Sequence, residues 1–250
     1  MAGHSKWANI KHRKGAADKK RGMLFTKLAR AITIAAREGG GDPEMNFNLR
    51  LAVDKARAAN MPKDNIERAI ARGAGGDKGD QLDRVMYEGY GPAGSAIMVL
   101  ATTDNRNRTA GQVRSVFTKY GANLGDSGGV AWQFEQRGSI NVPAIGLDSD
   151  DLALAAIDAG ALDVEIGGEM VTVYTTVTDF QRVKAVLEAG GFDTGDSELA
   201  MIPTAPIQLD DRQTVQVLKF IDVLEELDDV DQVYTNVEFT DAAIEQFEAA

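Results

Sequence analysis

Residues 139–202 read SINVPAIGLDSDDLALAAIDAGALDVEIGGEMVTVYTTVTDFQRVKAVLEAGGFDTGDSELAMI. Short apolar runs alternate here with segments whose apolar residues recur every three to four positions. Strands are expected at 139–142, 164–166, 171–176 and 198–202, with helices at 150–159 and 180–189. The order βαββαβ is that of the split βαβ, ferredoxin-like arrangement. On the N-terminal side, strands are expected at 84–90 and 96–103 around a turn at Gly91-Pro92 and Gly94. A helix follows at 109–120, striped by Val113, Val116 and Phe117, and then a strand at 130–134. On the C-terminal side a helix at 214–227 and a strand at 233–239 are expected. Joined across the ferredoxin-like block, these outer pieces complete a second sheet-plus-helix unit. The block 138–207 then reads as an insertion into a domain made of 79–137 and 208–250.

Upstream the pattern is helical. Phe25, Leu28, Ile32, Ala35 and Ala36 form an amphipathic stripe that Gly39-Gly40-Gly41 ends. Pro43 is expected to open a second helix, with Leu49, Val53, Ala56 and Ala59 as its apolar side. Pro62 sits at the first turn of a third, which carries Ile66 and Ile70 and stops at Gly73. Residues 73–79, GAGGDKG, read as a linker. The expected architecture is α+β multidomain: an N-terminal helical domain (1–78, basic arm and bundle) and two ferredoxin-like α+β domains, one inserted in the other.

Charge is segregated along the chain. Up to Arg72 there are 16 Lys and Arg against 7 Asp and Glu, a formal +9. The rest carries 11 against 31, a formal −20. The basic residues begin in an apolar-poor arm with Lys6, Trp7, Lys11, Arg13, Lys14, Lys19, Lys20 and Arg21, and continue onto one helix face with Lys27, Arg30 and Arg37. Arg50 with Arg57, and Arg68 with Arg72, share faces of the next two helices and extend the basic surface. Such sign asymmetry points to a basic arm that meets phosphate and an acidic body that does not. From Asp222 to the end there are ten acids and no Lys or Arg. They read as solvated faces, or as a body that repels duplex backbone.

The 250 residues hold no cysteine, which excludes disulfides, thiolate metal sites and cysteine nucleophiles. No apolar run approaches the roughly 20 residues of a membrane helix. The opening MAGHSKWANIKHRK lacks the apolar stretch of a signal peptide, so a cytoplasmic protein is expected. GDSGG at 125–129 spells the surroundings of a serine-protease nucleophile, but the only histidines are His4 and His12, both in the arm. It reads as a glycine-rich turn. Two histidines amid positive charge do not make a metal site. Neither glycine cluster carries the Gly-Lys-Ser/Thr of a phosphate-binding loop. No catalytic residues, metal or cofactor are expected. The segment Asp104-Asn105-Arg106-Asn107-Arg108-Thr109 follows a strand and opens a helix. It offers two readings: an anion site at a helix N-terminus, or capping combined with an ion pair to Asp104.

MAGHSKWANIKHRKGAADKKRGMLFTKLAR, LRLAVDKARAANMPKDNIERAI, YEGYGPAG, TTDNRNRT, NLGDSGGVAWQF and LDDVDQVYTN together resemble the YebC/PmpR family along essentially the whole chain. The resemblance implies a helical domain with two α+β domains. It implies a DNA-binding transcriptional regulator, or, in a competing view of the family, a ribosome-associated translation factor like its mitochondrial translational-activator relatives. It carries over Lys6, Lys11, Arg13, Lys14, Lys19, Lys20, Arg21, Lys27, Arg30 and the block Asn105, Arg106, Asn107, Arg108 and Thr109 as binding positions. Asn46-Phe47-Asn48-Leu49 stands where the family commonly has Asn-Pro-Arg-Leu, Ala93 replaces a usual glycine, and Gly129 a usual serine.

The expected partner is therefore nucleic acid, either DNA or ribosomal RNA and tRNA on the ribosome, with no membrane and no small-molecule substrate, bound by a monomer. A protein-binding adaptor is the third reading. No helix-turn-helix, zinc finger or basic zipper is visible to read bases in a major groove. An arm rich in Lys and Arg with one Trp resembles segments that fold on structured RNA. Trp7 can stack on a base or anchor the arm on the helical domain.

Overall fold

The structure, a computed structural model, describes residues 18–75, 82–167 and 170–249, with side chains from residue 22 onward. The chain divides into two compact units. One comprises 1–27, 78–135 and 202–250, and the other 28–77 and 136–201. The helical bundle and the insertion thus share one unit.

Helix α1 (Asp18–Gly39), which belongs to that shared unit from Leu28 on, is followed there by α2 (Phe47–Ala58) and α3 (Lys63–Ala74). Helix α1 takes in Lys19, Lys20 and Arg21, which the sequence had placed in the arm. Gly40 ends it with φ +89°, its N–H bonding the Ala36 carbonyl at 2.9 Å. Pro43 does not open α2. It lies in a turn, and Asn46 caps the helix instead, accepting the Leu49 N–H at 3.1 Å. Proline would suit the first helical position, but the Asn46 side chain supplies the stronger start. Buried Asn46 also donates to the carbonyls of Ala35 (2.7 Å) and Gly40 (2.8 Å), tying the end of α1 to the start of α2. Helices α1 and α3 touch at Gly73, where an added Cβ would lie 2.3 Å from the Thr33 carbonyl oxygen.

The insertion holds β4 (Phe134–Pro143), α5 (Ser149–Asp158), β5 (Asp163–Ile166), β6 (Met170–Thr175), α6 (Phe180–Ala189) and β7 (Asp196–Pro203). Its sheet runs β5-β6-β4-β7, the ferredoxin-like order expected from βαββαβ. Ile140, Val142, Leu152, Val171, Val173, Phe180, Val183 and Leu187 form its core, and Phe47 and Leu51 of α2 pack against it. Phe47 meets Phe180 edge-on, with centroids 5.7 Å apart. That contact gives Phe47 a packing role. Lys184 is buried with its Nζ on Asp54 (3.2 Å) and Glu188 (2.5 Å), and Lys55 pairs with Glu198.

The other unit is built on β1 (Asp83–Tyr90), β2 (Ala96–Thr103), β3 (Asn123–Leu124) and β9 (Val230–Thr235), in spatial order β3-β1-β2-β9. Strand β1 pairs antiparallel with both β2 and β3, and β2 with β9. Helices α4 (Arg106–Lys119), α7 (Asp211–Glu225) and α8 (Asp241–Glu248) supply its helical layer. Val113, Phe117, Val217, Phe220, Ile221 and Leu224 share a core with Ile97, Val99 and Val233, and Phe117 meets Phe220 edge-on at 5.0 Å. A short parallel pair, β8 (Ile207–Gln208) with β10 (Val237–Glu238), completes the unit.

Residues 130–134 are not the separate strand expected. Ala131–Gln133 form a 3-10 turn, and Phe134 begins β4. The two-residue strand β3 was not anticipated.

Candidate nucleic-acid interface

The basic candidates fall into three places. Lys6, Trp7, Lys11, Arg13 and Lys14 lie outside the described residues. Lys19, Lys20 and Arg21 are on α1. Lys27 and Arg30 follow on the same helix, with Arg37 in its last turn. Lys27 donates from Nζ to the Glu225 carbonyl at 2.6 Å, the C-terminal end of α7 where helix carbonyls concentrate negative charge. Arg30 and Arg37 also have partners. Further on, Arg50 straps the preceding turn through the carbonyls of Pro43 and Glu44, both at 3.0 Å. Arg57 lies 3.7 Å from Asp54, and Arg68 bonds the Asp64 carbonyl at 3.1 Å. Much of the charge on α2 and α3 is therefore matched locally. The basic surface of the bundle is thinner than its composition implies.

The Asn105–Thr109 block sits at the start of α4. Asn105 is its N-cap, accepting the Arg108 N–H at 3.1 Å. Arg106 pairs with Asp83 at 2.7 Å. Arg108 reaches Asp104 at 2.6 Å and Asp229 at 2.7 Å. Asn107 is exposed. Asp229 is buried and is the hub of the group. Its Oδ2 also accepts from Thr103 Oγ1 (3.2 Å) and Thr109 Oγ1 (2.7 Å). Burial pushes the Asp229 carboxyl up, but Arg108 and the two hydroxyls outweigh it and hold the group below its ordinary value. The same carboxylates raise Arg108, chiefly Asp229 through its hydrogen bond. Capping and ion pairing thus occupy both arginines. Asp229 is also no solvated surface acid, as the acidic C-terminal run had suggested.

A second buried carboxylate organises the GDSGG turn. Glu88, on β1, accepts N–H bonds from Gly128 (2.9 Å), Val130 (3.0 Å) and Ala131 (2.8 Å). Burial pushes Glu88 up, and the three amides together hold it below its ordinary value. The Glu88 carbonyl also accepts the Gly125 N–H at 2.8 Å. The loop is fixed as a turn, with Ser127 exposed. It presents Trp132 at 73% exposure.

Sequence reasoning missed Glu88, Asp229, Asn46 and Trp132. Glu88, Trp132 and Asp229 lie inside the segments YEGYGPAG, NLGDSGGVAWQF and LDDVDQVYTN, so their neighbourhoods were visible but not their partners. Among the described residues there is no group of three or more His, Cys, Asp and Glu able to hold a metal. No helix among them is long and apolar enough to cross a membrane.

A helical N-terminal segment, a ferredoxin-like insertion and a host α+β sheet define an α+β multidomain protein with a basic N-terminal quarter. Residues 5–76 match the model of the TACO1/YebC protein N-terminal domain, and residues 82–237 that of the TACO1/YebC second and third domain. The chain belongs to this family. A "probable transcriptional regulatory protein" of Pseudomonas syringae pv. syringae is 53% identical over 247 residues, covering 98% of this chain and 99% of the relative. One from Halothermothrix orenii is 49% identical over 249 residues, covering 98% of each. A solved structure, a conserved hypothetical protein from Aquifex aeolicus, is similar with a TM-score of 0.84 and 48% identity. The match covers 90% of this chain and 93% of that one.

Proposed function

We propose that this chain is a cytoplasmic nucleic-acid-binding regulator of gene expression with no catalytic step. The observation that carries the reading is the charge division, a formal +9 up to Arg72 against −20 beyond it. Matched cations on α2 and α3 concentrate the binding role on the arm and the start of α1. Lys6, Lys11, Arg13, Lys14, Lys19, Lys20 and Arg21 are the phosphate contacts. The names of the relatives favour promoter DNA as the target. The absence of a recognisable base-reading motif in the sequence favours a second version, in which the target is structured RNA on the ribosome.

If about five arm residues meet phosphate, log K against log salt has a slope of about −4 on duplex. The decisive experiment sediments cell lysate through a sucrose gradient at low and high salt, with and without ribonuclease. Salt-sensitive co-migration with ribosomes supports the translation version. Migration at the top of the gradient, with a sequence-specific shift of a promoter fragment, supports transcription and removes the other. Replacing Lys11, Arg13, Lys14, Lys19, Lys20 and Arg21 by Ala should abolish either association, and unchanged binding would refute the arm as the binding element.

A further inference from the structure

We infer that Trp132 is a stacking platform for one unpaired nucleobase, presented by a loop that Glu88 locks in place. The inference rests on the nucleic-acid reading above and adds a point where a base, rather than a phosphate, is met.

Trp132 is 73% exposed, although a large apolar ring gains most by burial. Its neighbours are fixed on both sides. The Ala131 N–H is held by Glu88, and Val130 is fully buried. The Gln133 carbonyl accepts from the Thr204 N–H (2.8 Å) and Thr204 Oγ1 (3.1 Å). The Gln133 side-chain carbonyl accepts from Asn236 at 3.0 Å, and its amide donates to the Tyr90 hydroxyl at 3.4 Å. The indole N–H is already spent on the Gly129 carbonyl at 3.2 Å. What remains for a partner is the ring itself, on a backbone that needs no further ordering to receive one.

Size decides the occupant. Trp132 offers at most about 250 Å² of aromatic surface, while a stable protein interface takes about 800 Å² from each partner. The residues at 125–129 are exposed, and three of the five are glycine, so they add no apolar margin. A single flat base fits such a patch, and stacking tolerates any base because each has a π face.

The test uses the full chain carrying Trp7→Phe, which leaves Trp132 as its sole indole. The probes are a short single-stranded oligoribonucleotide, its deoxy counterpart, an abasic oligomer of equal length and a blunt duplex. Quenching of Trp132 fluorescence by a single-stranded probe, but not by the abasic oligomer or the duplex, is expected. The ribo and deoxy arms show which sugar is preferred. Trp132→Ala should weaken single-strand binding about tenfold, equally at low and high salt because stacking releases no counterions. Trp132→Phe should recover part of the loss. Equal quenching by the abasic oligomer, or unchanged single-strand affinity in Trp132→Ala, overturns the platform and leaves the arm reading standing. A chain that binds none of the probes overturns both.

Discussion

Ala93 holds φ +55° and ψ +23° in the turn between β1 and β2, a left-handed conformation that a Cβ disfavours by about 1–2 kcal/mol. Gly94 beside it, at φ +76°, carries no such penalty. Ala93→Gly should therefore raise stability by about 1 kcal/mol after the flexibility of unfolded glycine is subtracted, and a urea melt would show it. A stability equal to or below that of the parent would mean the turn is held without strain. Glu88 and Asp229 make the pH prediction. Both carboxyls are held below their ordinary values of 4.5 and 3.8 in the folded chain. Each therefore favours folding above the unfolded value, and its contribution is lost as the pH falls through the lowered folded value. Stability should be level down to about pH 5 and fall below it. In a chain carrying Glu88→Gln and Asp229→Asn, the acid limb should be shallower. Glu88→Gln alone should cost about 1–3 kcal/mol at neutral pH, because an amide NH2 cannot accept the Gly128 or Val130 N–H.

Among the elements, α2 depends most on one side chain. Asn46→Ala removes a cap and leaves the carbonyls of Ala35 and Gly40 without their donor. A loss of about 2–3 kcal/mol is expected from the two effects, whereas Asn48→Ala at an exposed position should be near neutral. Elements with a sustained periodicity were legible in the sequence. The βαββαβ order of the insertion, the β1–β2 hairpin and α7 follow from apolar spacing alone. Strand β3 was not, since two residues carry no period. The misreading at 130–134 has a specific cause. Val130, Trp132 and Phe134 stand two apart and read as one apolar face of a strand, whereas the 3-10 turn buries Val130 and Phe134 and exposes Trp132. What separates them is the Glu88 carboxylate taking the Val130 and Ala131 N–H groups from 42 and 43 residues away. The start of α4 was legible as a cap and an ion pair with Asp104, but Asp229, 121 residues distant, could not be paired with Arg108 from spacing.

For the molecule as a whole, charge organisation was the most legible feature and the one on which the proposed function rests. Its finer distribution was not, because partners such as Glu198 for Lys55 and the Glu225 carbonyl for Lys27 are far away in sequence. Binding should therefore respond to the arm more than to the bundle. The slope of log K with log salt should shrink on replacing arm residues and hardly move for Arg57→Ala or Arg68→Ala. Equal loss from both sets would place the contacts across the whole helical segment.

The insertion has a consequence of its own. Its first and last strands, β4 and β7, are neighbours in one sheet, so the points where the chain leaves and re-enters its host are side by side. A short turn can bridge such a gap, and the host sheet β3-β1-β2-β9 takes no strand from the excised segment. Yet Phe47 and Leu51 of α2 cover the insertion's core. Genetic excision of 136–201 would spare the sheet that encloses it in sequence and strip the helices encoded well before it. In this chain, descent along the gene and dependence in space run between different parts.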